Sequence, residues 1–384
     1  MKICSTNIND LLQDGFTAKF AKYYLKQAEA YFKMNVFNKE YSSWALSRGF
    51  LADSACWYDL SEKNVDSYLS DYDYYRIWPL NDWQRIWIND KLTLKYMLDG
   101  TEFSNVMPEY YFYTAKDKLL PLVNNNISDK YADIYSTFIS LFKEKKEFAC
   151  KPCNGDGGDG FTKLSYFDNC FMINENIVTE KEILEFVLSH PNYVFTEYLN
   201  PGGGLSLLSS KIHTIRLITI NPTGKNPIII GGYLRIPSKF CGAANYSHLE
   251  GDDMLAGYNI VTNIDVNNGV FYDARLVYTN RWEKVELLDS KALSGIIDNY
   301  SQLREIVLGI ANHFNAVEYL GFDLCLSDKG FKCMEINSHS GIRHIQLFQS
   351  LYENKDAEMY FKRRIEMIDK LDKEGKMSRN GILR

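Results

Sequence analysis

The sequence has no apolar run close to the ~18 residues a membrane-crossing helix needs, and its first residues, MKICSTNINDLLQDG, lack the basic start and apolar middle of an export signal. No membrane span and a cytoplasmic location are therefore expected. Positive charge is not in surplus either: the formal net charge is -6. The densest basic cluster, Lys362-Arg363-Arg364, reads as the solvated face of a helix, so no nucleic-acid partner is expected. The eight cysteines are scattered, and the pair Cys150 and Cys153 has no second Cys/His pair nearby at metal spacing. They read as buried thiols rather than a disulfide framework. Internal repeats and low-complexity segments are also missing. What is present is a chain of 384 residues, 46% of them apolar, enough for a large core and, at about 150 residues per domain, two or three lobes.

Residues 15–50 and 60–99 set apolar and aromatic side chains three and four apart, as in Phe20, Tyr23, Tyr24, Ala28, Tyr31 and Phe32, which predicts helices with one buried face. The first lobe is therefore mostly helical. From about residue 110 to 200 helices alternate with short strands, and Thr179-Glu180-Lys181-Glu182 ahead of Ile183, Leu184, Phe186 and Val187 is a capping-box helix start. Residues 212–220 and 228–235 are β-rich runs joined by NPTGKNP, a hairpin signal. A helix over 301–314 precedes a second hairpin, GFDLCLSDKGFKCMEIN, and an amphipathic helix over 358–371 follows.

The stretch FACKPCNGDGGDGF, from Phe148, contains G-x-G-x-x-G at Gly155, Gly157 and Gly160. A Rossmann turn needs a strand running straight into the first glycine and a helix after the third, whereas Lys151-Pro152 interrupts the approach and FTKLSYFDNCFMI follows with strand-like alternation. No Gly-Lys-Ser/Thr follows for a Walker loop, and a calcium turn of the GGxGxD kind works only as a stack of repeats. The pattern that remains is strand, lysine, glycine loop, strand. Such a loop can lay bare backbone N–H groups over a polyphosphate while Lys151 supplies a cation.

Side chains two apart on a strand face the same way, so Glu335 and Asn337 point together, and the SDKG turn folds Asp323 back toward them. The flanking Phe322, Leu324, Leu326, Met334 and Ile336 mark a buried sheet, where unpaired carboxylates are expensive. An oxygen-only set suits a hard ion such as Mg2+, with Mn2+ as the alternative. Arg216 shares a strand face with Thr214 and Ile218, Arg235 lies on the neighbouring strand, and Arg343 follows the metal strand through SHSGIR. Their guanidinium forks suit a transferred phosphoryl group or a substrate carboxylate, and each could equally be a structural ion pair. His339 and His344 read as helix-cap or surface residues.

KPCNGDGGDGF is similar to the glycine-rich loop of the ATP-grasp superfamily. Three more segments fall in that superfamily's order: NDKLTLKYML with Lys91, VFTEYL with Glu197, and Asp323 with Glu335-Ile-Asn337, so the resemblance spans residues 89–341. It implies an α+β fold of two α/β lobes gripping ATP, here behind a helical N-terminal lobe, with domains at 1–88, 89–200 (small lobe with the glycine loop) and 201–384 (large lobe with the metal site). It further implies that Lys91, Lys151, Asn154, Gly155, Gly157, Gly158 and Gly160 hold the nucleotide, that Glu197 accepts from the adenine amino group beside the backbone of Tyr198 and Leu199, and that Asp323, Glu335 and Asn337 ligate Mg2+. Arg216, Arg235 and Arg343 take the catalytic places. FNKEYSSWAL, SSKIHTIRLITI and the tyrosine-rich lead into NDK resemble a sugar-transfer-associated group of the superfamily. That group implies an ADP-forming ligase joining a small-molecule carboxylate, sugar-linked in some cases, to an amine or amino acid during surface-polysaccharide or related cell-envelope synthesis. A kinase acting on a sugar-like hydroxyl, and a non-catalytic ATP-binding subunit, stay open as alternatives.

Overall fold

The computed structural model describes residues 7–33, 36–116, 118–122, 133–155, 160–238 and 259–379. Seven helices open the chain: α1 (Ile8–Gln13), α2 (Ala18–Lys33), α3 (Lys39–Ser47), α4 (Ala52–Trp57), α5 (Asp71–Arg76), α6 (Ile86–Asn89) and α7 (Lys91–Leu98). Side-chain caps start several of them. Asn38 accepts from the N–H of Glu40, Ser70 from that of Asp73 and Asp90 from that of Thr93, each satisfying a donor the helix itself leaves over. On α2 the buried stripe is Ala21, Tyr24, Ala28 and Tyr31. Tyr23 departs from the expected face: one residue is a 100° turn, which leaves it 45% exposed and in edge contact with Phe20 and Tyr75. The side chain of Phe32 lies outside the described residues.

Two antiparallel sheets follow. The first has seven strands: β1 (Tyr110–Ala115), β2 (Lys118–Pro121), β3 (Glu147–Pro152), β4 (Thr162–Phe167), β5 (Cys170–Ile173), β6 (Asn176–Val178) and β7 (Tyr193–Glu197), in the order β2-β1-β7-β3-β4-β5-β6. Helices α8 (Ile134–Lys145) and α9 (Glu180–Ser189) cover it, packing Phe138, Phe142, Ile183 and Val187 on Phe112, Phe148, Leu164 and Phe195. The capping box at Thr179 and Glu182 is complete.

The second sheet is larger. Its main path runs through β8 (Thr214–Ile220), β9 (Ile228–Ile236), β10 (Ile260–Ile264), β11 (Val270–Val277) and β12 (Trp282–Lys284), and a short pair, β13 (Leu287–Leu288) and β14 (Lys291–Ala292), stands apart before β15 (Gly295–Ile296), which joins β11. After α10 (Tyr300–His313), the hairpin β16 (Tyr319–Ser327) and β17 (Gly330–Asn337) completes the sheet beside β8, giving the path β12-β11-β10-β9-β8-β16-β17. Both hairpins expected from the sequence are present.

Alternation splits this sheet between two cores. Ile215, Leu217, Leu234, Phe322 and Leu324 face α10 and α7, while Ile218, Ile220, Tyr233, Val261 and Tyr319 face the N-terminal helices. The second of these cores also takes Ile345 from α11 (Arg343–Gln346) and Ala357, Tyr360, Phe361 and Ile368 from α12 (Lys355–Asp369). Beyond α13 (Lys373–Ser378), Arg379 donates to the carbonyls of Arg76 at 2.8 Å and Trp78 at 2.6 Å. The N-terminal helices thus share one core with the last described segment. Of the cysteines, Cys4 and Cys241 lie outside the described residues; the other six are free thiols, four of them buried, with Cys56 half-buried and Cys170 exposed.

Burial of imidazoles gives the fold a pH dependence. His213 accepts the N–H of Leu326 on Nε2 at 3.1 Å, and burial pushes its pKa down to about 4. Burial likewise pushes His339 down to about 3 and His344 well below its usual range, the latter with help from Arg235, Arg343 and Arg216. Below pH 6.5 the unfolded chain takes up three protons that the native state refuses, so stability falls with pH. Buried Asp71, pushed up to about 6, and Asp323, also raised, act in the opposite sense because the native state holds their protons longer. The histidines outnumber them. Urea titration should show a net loss on the order of 3 kcal/mol between pH 7 and pH 5, and His213→Gln should flatten that slope by about one proton. A flat profile would contradict the buried, neutral histidines.

Candidate functional site

The site forms where the central strands β3 and β7 of the first sheet approach the β16–β17 hairpin. The SDKG turn, with Gly330 at φ 92°, starts the hairpin, and a register shift between Asp323 and Leu324 then places Asp323 opposite Glu335 and Gly321 opposite Asn337. On the other side β8 places Arg216 opposite Asp323. The three charged residues are therefore cross-strand neighbours on one face.

Arg216 grips Asp323 as a fork: Nε donates to Oδ1, and Nη2 donates to Oδ2 at 2.6 Å. Its Nη1 donates to Ser340 Oγ at 2.5 Å. Ser340 reaches that position because the chain after β17 crosses directly over Gly321, where a Cβ would stand 2.0 Å from the Ser340 Cβ. Asp323 is fully buried. Burial and the Glu335 charge push its pKa up against the pull of Arg216. Glu335 goes the other way: burial would raise it, but Lys91, Asp323, Arg216 and Asn337 together hold it low, so it is the ionised member of the pair.

Lys91 is the cation that meets Glu335. It is 6% exposed, with Nζ 3.5 Å from Glu335 Oε2 and 2.8 Å from the carbonyl of Gly155. The segment Asn89-Asp90-Lys91 secures this through three successive contacts. Asn89 Oδ1 accepts from the N–H of Ser338 at 3.0 Å, Asp90 caps α7 and accepts from Cys153 Sγ at 3.2 Å, and the N–H of Lys91 donates to the carbonyl of Cys153 at 3.1 Å. The start of α7 is thus pinned both to the loop after β3 and to the end of β17.

Lys151, near the end of β3, completes a pair of lysines. Burial first, and the charge of Lys91 second, push its pKa down to about 8, against Glu335, Cys325 and Cys333. The glycine loop begins beside it. Asn154 is exposed and Gly155 holds Lys91, whereas Gly157 and Gly158 lie outside the described residues. Gly160, at φ 77°, closes the loop where a Cβ would lie 2.5 Å from Tyr193 Oη and 2.8 Å from Pro152 Cγ, so only glycine fits.

Glu197 ends β7, 4% exposed, with Oε1 buried and without a partner among the described residues and Oε2 3.4 Å from Lys329 Nζ. Beside it the ring of Tyr198 carries Lys163 Nζ at 4.1 Å from its centroid, and Leu199 is half-buried. A buried carboxylate oxygen that lacks a donor is suited to receive one from a ligand.

The remaining arginines separate. Arg235 is half-buried, its guanidinium 5.6 Å from the Tyr233 ring, on the face shared with Arg216. Arg343 turns toward the N-terminal helices instead, paired with Asp53 and 4.6 Å from the Trp57 ring. His339 and His344 are neither surface nor cap residues. His339 stacks on Tyr74 at 4.3 Å with both ring nitrogens buried, and His344 packs between Tyr233 and Trp57. The N-terminal helices cover this end of the sheet, which no local polarity pattern could reveal. Sequence reasoning also missed Asn89, Lys329, Ser340 and Asp53; only Asn89 carried a local signal, as the first residue of NDK.

As a metal site, Glu335 and Asn337 fit a hard divalent cation: their side chains meet at 3.2 Å (Asn337 Nδ2 to Glu335 Oε1) and offer oxygen donors on one face. Asp323 is committed to Arg216 through both oxygens. Among the described residues, no group of three or more His, Cys, Asp or Glu is placed to hold a metal. No described helix is long and apolar enough to cross a membrane.

No family model and no curated protein matches the chain. Solved structures do. They include D-alanine–D-alanine ligase from Bacillus anthracis (14% identity, 77% of this chain and 70% of that one, TM-score 0.34) and D-alanyl-alanine synthetase A from Vibrio cholerae (13%, 74% and 66%, TM-score 0.40). A third is a RiPP-associated ATP-grasp ligase from Chryseobacterium gregarium in complex with ADP and a leader and core peptide (12%, 80% and 72%, TM-score 0.36).

Proposed function

We propose that the chain is an ATP-dependent ligase of the ATP-grasp type that joins a carboxylate to an amine through an acyl phosphate. The observation that carries this is the convergence of Lys91, Glu335 and the start of the glycine loop, with Lys151 beside them. Two cations and an ionised carboxylate at the mouth of such a loop answer the needs of a polyphosphate and its counter-ion. Lys91 and Lys151 neutralise phosphate oxygens, and Lys151 remains mostly protonated at neutral pH with a pKa of about 8. Glu335 and Asn337 hold Mg2+, which when bound draws charge from the phosphate oxygens and orients them. Glu197 receives the adenine amino group on Oε1, flanked by the backbone of Tyr198 and Leu199. Arg216 keeps Asp323 in place behind Glu335, and Arg235 faces the incoming carboxylate.

In this scheme a carboxylate oxygen attacks the γ-phosphorus, ADP leaves, and the amine nitrogen then attacks the acyl carbon, releasing phosphate and one proton. The glycine loop, by closing, would keep water from the acyl phosphate. The resemblance of the helical lobe and of SSKIHTIRLITI to sugar-transfer-associated proteins supports a sugar-linked acid and a place in surface-polysaccharide or related cell-envelope synthesis.

The test is trapping. Incubated with ATP, Mg2+, a panel of uronic and amino acids and hydroxylamine in place of the amine, the protein should form a hydroxamate with its true acid and release ADP in equal amount. A stable phosphate ester with no hydroxamate would replace the ligase with a kinase.

A further inference from the structure

Glu197 and the SDKG turn are joined more firmly than a surface ion pair requires. After β7 the chain runs alongside the end of β16: the N–H of Gly202 donates to the carbonyl of Leu326 at 2.8 Å, Pro201 bridges Ser327, and the N–H of Asp328 donates to the carbonyl of Asn200 at 3.1 Å. Three successive contacts fix the turn against the segment that follows Glu197. Gly202 is part of that fit, since a Cβ there would lie 2.2 Å from the Ser327 carbonyl oxygen. Lys329, the third residue of the turn, is thereby carried over Glu197. Its Nζ lies 3.4 Å from Oε2, and its neighbour across the gap is Glu109, which is itself held low by Tyr111 and Lys145 ahead of Lys329.

The two oxygens of Glu197 thus have different surroundings. Oε2 has a cation; Oε1 is buried with none. The lysine charge favours the rotamer that turns Oε2 toward Lys329, which leaves Oε1 as the buried oxygen open to a donor.

We infer that Lys329 is a positioning residue for purine selectivity, holding Glu197 so that Oε1 accepts from an exocyclic amino group and turns away a purine carrying a carbonyl at that position. This rests on the nucleotide site proposed above. The chemistry is one of opposites: an amino group donates to a carboxylate oxygen, whereas a carbonyl oxygen placed there brings two acceptors together and leaves both without a donor.

The experiment needs no acid substrate. Titration calorimetry of the full chain with Mg2+ and either ATP or inosine triphosphate, which differs in having a carbonyl for the amino group, should show the wild type preferring ATP by about tenfold or more. In Lys329→Met the preference should shrink by about fivefold, through weaker ATP binding with inosine triphosphate little changed, while the melting temperature stays within a degree or two. Lys329→Arg should restore most of it. An unchanged ratio in Lys329→Met, or equal binding of the two nucleotides by the wild type, would overturn the inference while leaving a nucleotide site in place. A wild type that binds neither nucleotide would instead remove the site itself.

Discussion

Replacing Glu335 with Gln should lower turnover by about 10²–10³-fold while the protein stays folded. The substitution keeps the size of the side chain and an oxygen that can accept from Asn337 at its present 3.2 Å. What it removes is the ionised charge that pairs with Lys91 at 3.5 Å and offers the only described carboxylate of the set not already held by Arg216. Lys91 then keeps the Gly155 carbonyl and, at most, a neutral amide oxygen among the described residues, so the loop and helix α7 lose the charge that draws them together. Burial opposes the Glu335 charge, but its neighbours outweigh burial and hold the pKa down to about 2, so neutralisation should also cost some stability, on the order of 1–3 kcal/mol. The check is ADP release at saturating Mg2+ together with a thermal melt. Full activity in a folded variant would remove Glu335 from the catalytic machinery.

The second large effect concerns stability. Arg216→Met should destabilise the fold by about 3–5 kcal/mol, the usual consequence of leaving one partner of a buried ion pair alone. Asp323 has no exposed surface, and both of its oxygens depend on the guanidinium. Water cannot reach the carboxylate to take the arginine's place. The pair itself need not be strongly stabilising, since two charges were removed from water to make it. The double variant Arg216→Met with Asp323→Leu should therefore recover more than half of the loss, and the cycle separates the pair from its surroundings. Urea denaturation of the four proteins is the measurement. A loss below about 1 kcal/mol in the single variant would mean that Asp323 finds another donor or is not charged.

Much of the fold was legible where the signal was local. The β16–β17 hairpin was written in alternating side chains around SDKG, and the alternation placed Asp323, Glu335 and Asn337 together before any coordinates. Thr179 and Glu182 announced α9 because a capping box is complete within four residues. Long-range features were not legible. Nothing near Arg343 in the sequence points to Asp53, 290 positions away, and the arginine was grouped with Arg216 and Arg235 because it follows the same motif. His339 and His344 were placed at the surface on polarity alone, whereas the N-terminal helices bury them behind Tyr74 and Trp57. Lys329 sits in a turn whose local pattern names no partner for it, since Glu197 comes from a strand of the other sheet.

The core shared by the first helices and the last ones bears on how the protein is made. On the ribosome, α1 to α5 emerge well before the residues that finish their packing, Ile345, Ala357, Tyr360, Phe361 and Ile368. The opening lobe can pair its own rings early, as Tyr24 does with Phe16 and Tyr72, but its packing is completed only after those later residues have been made. The face of the sheet that carries Arg216 and Asp323 is roofed in the same step, so the candidate site is assembled only after that later segment has been made.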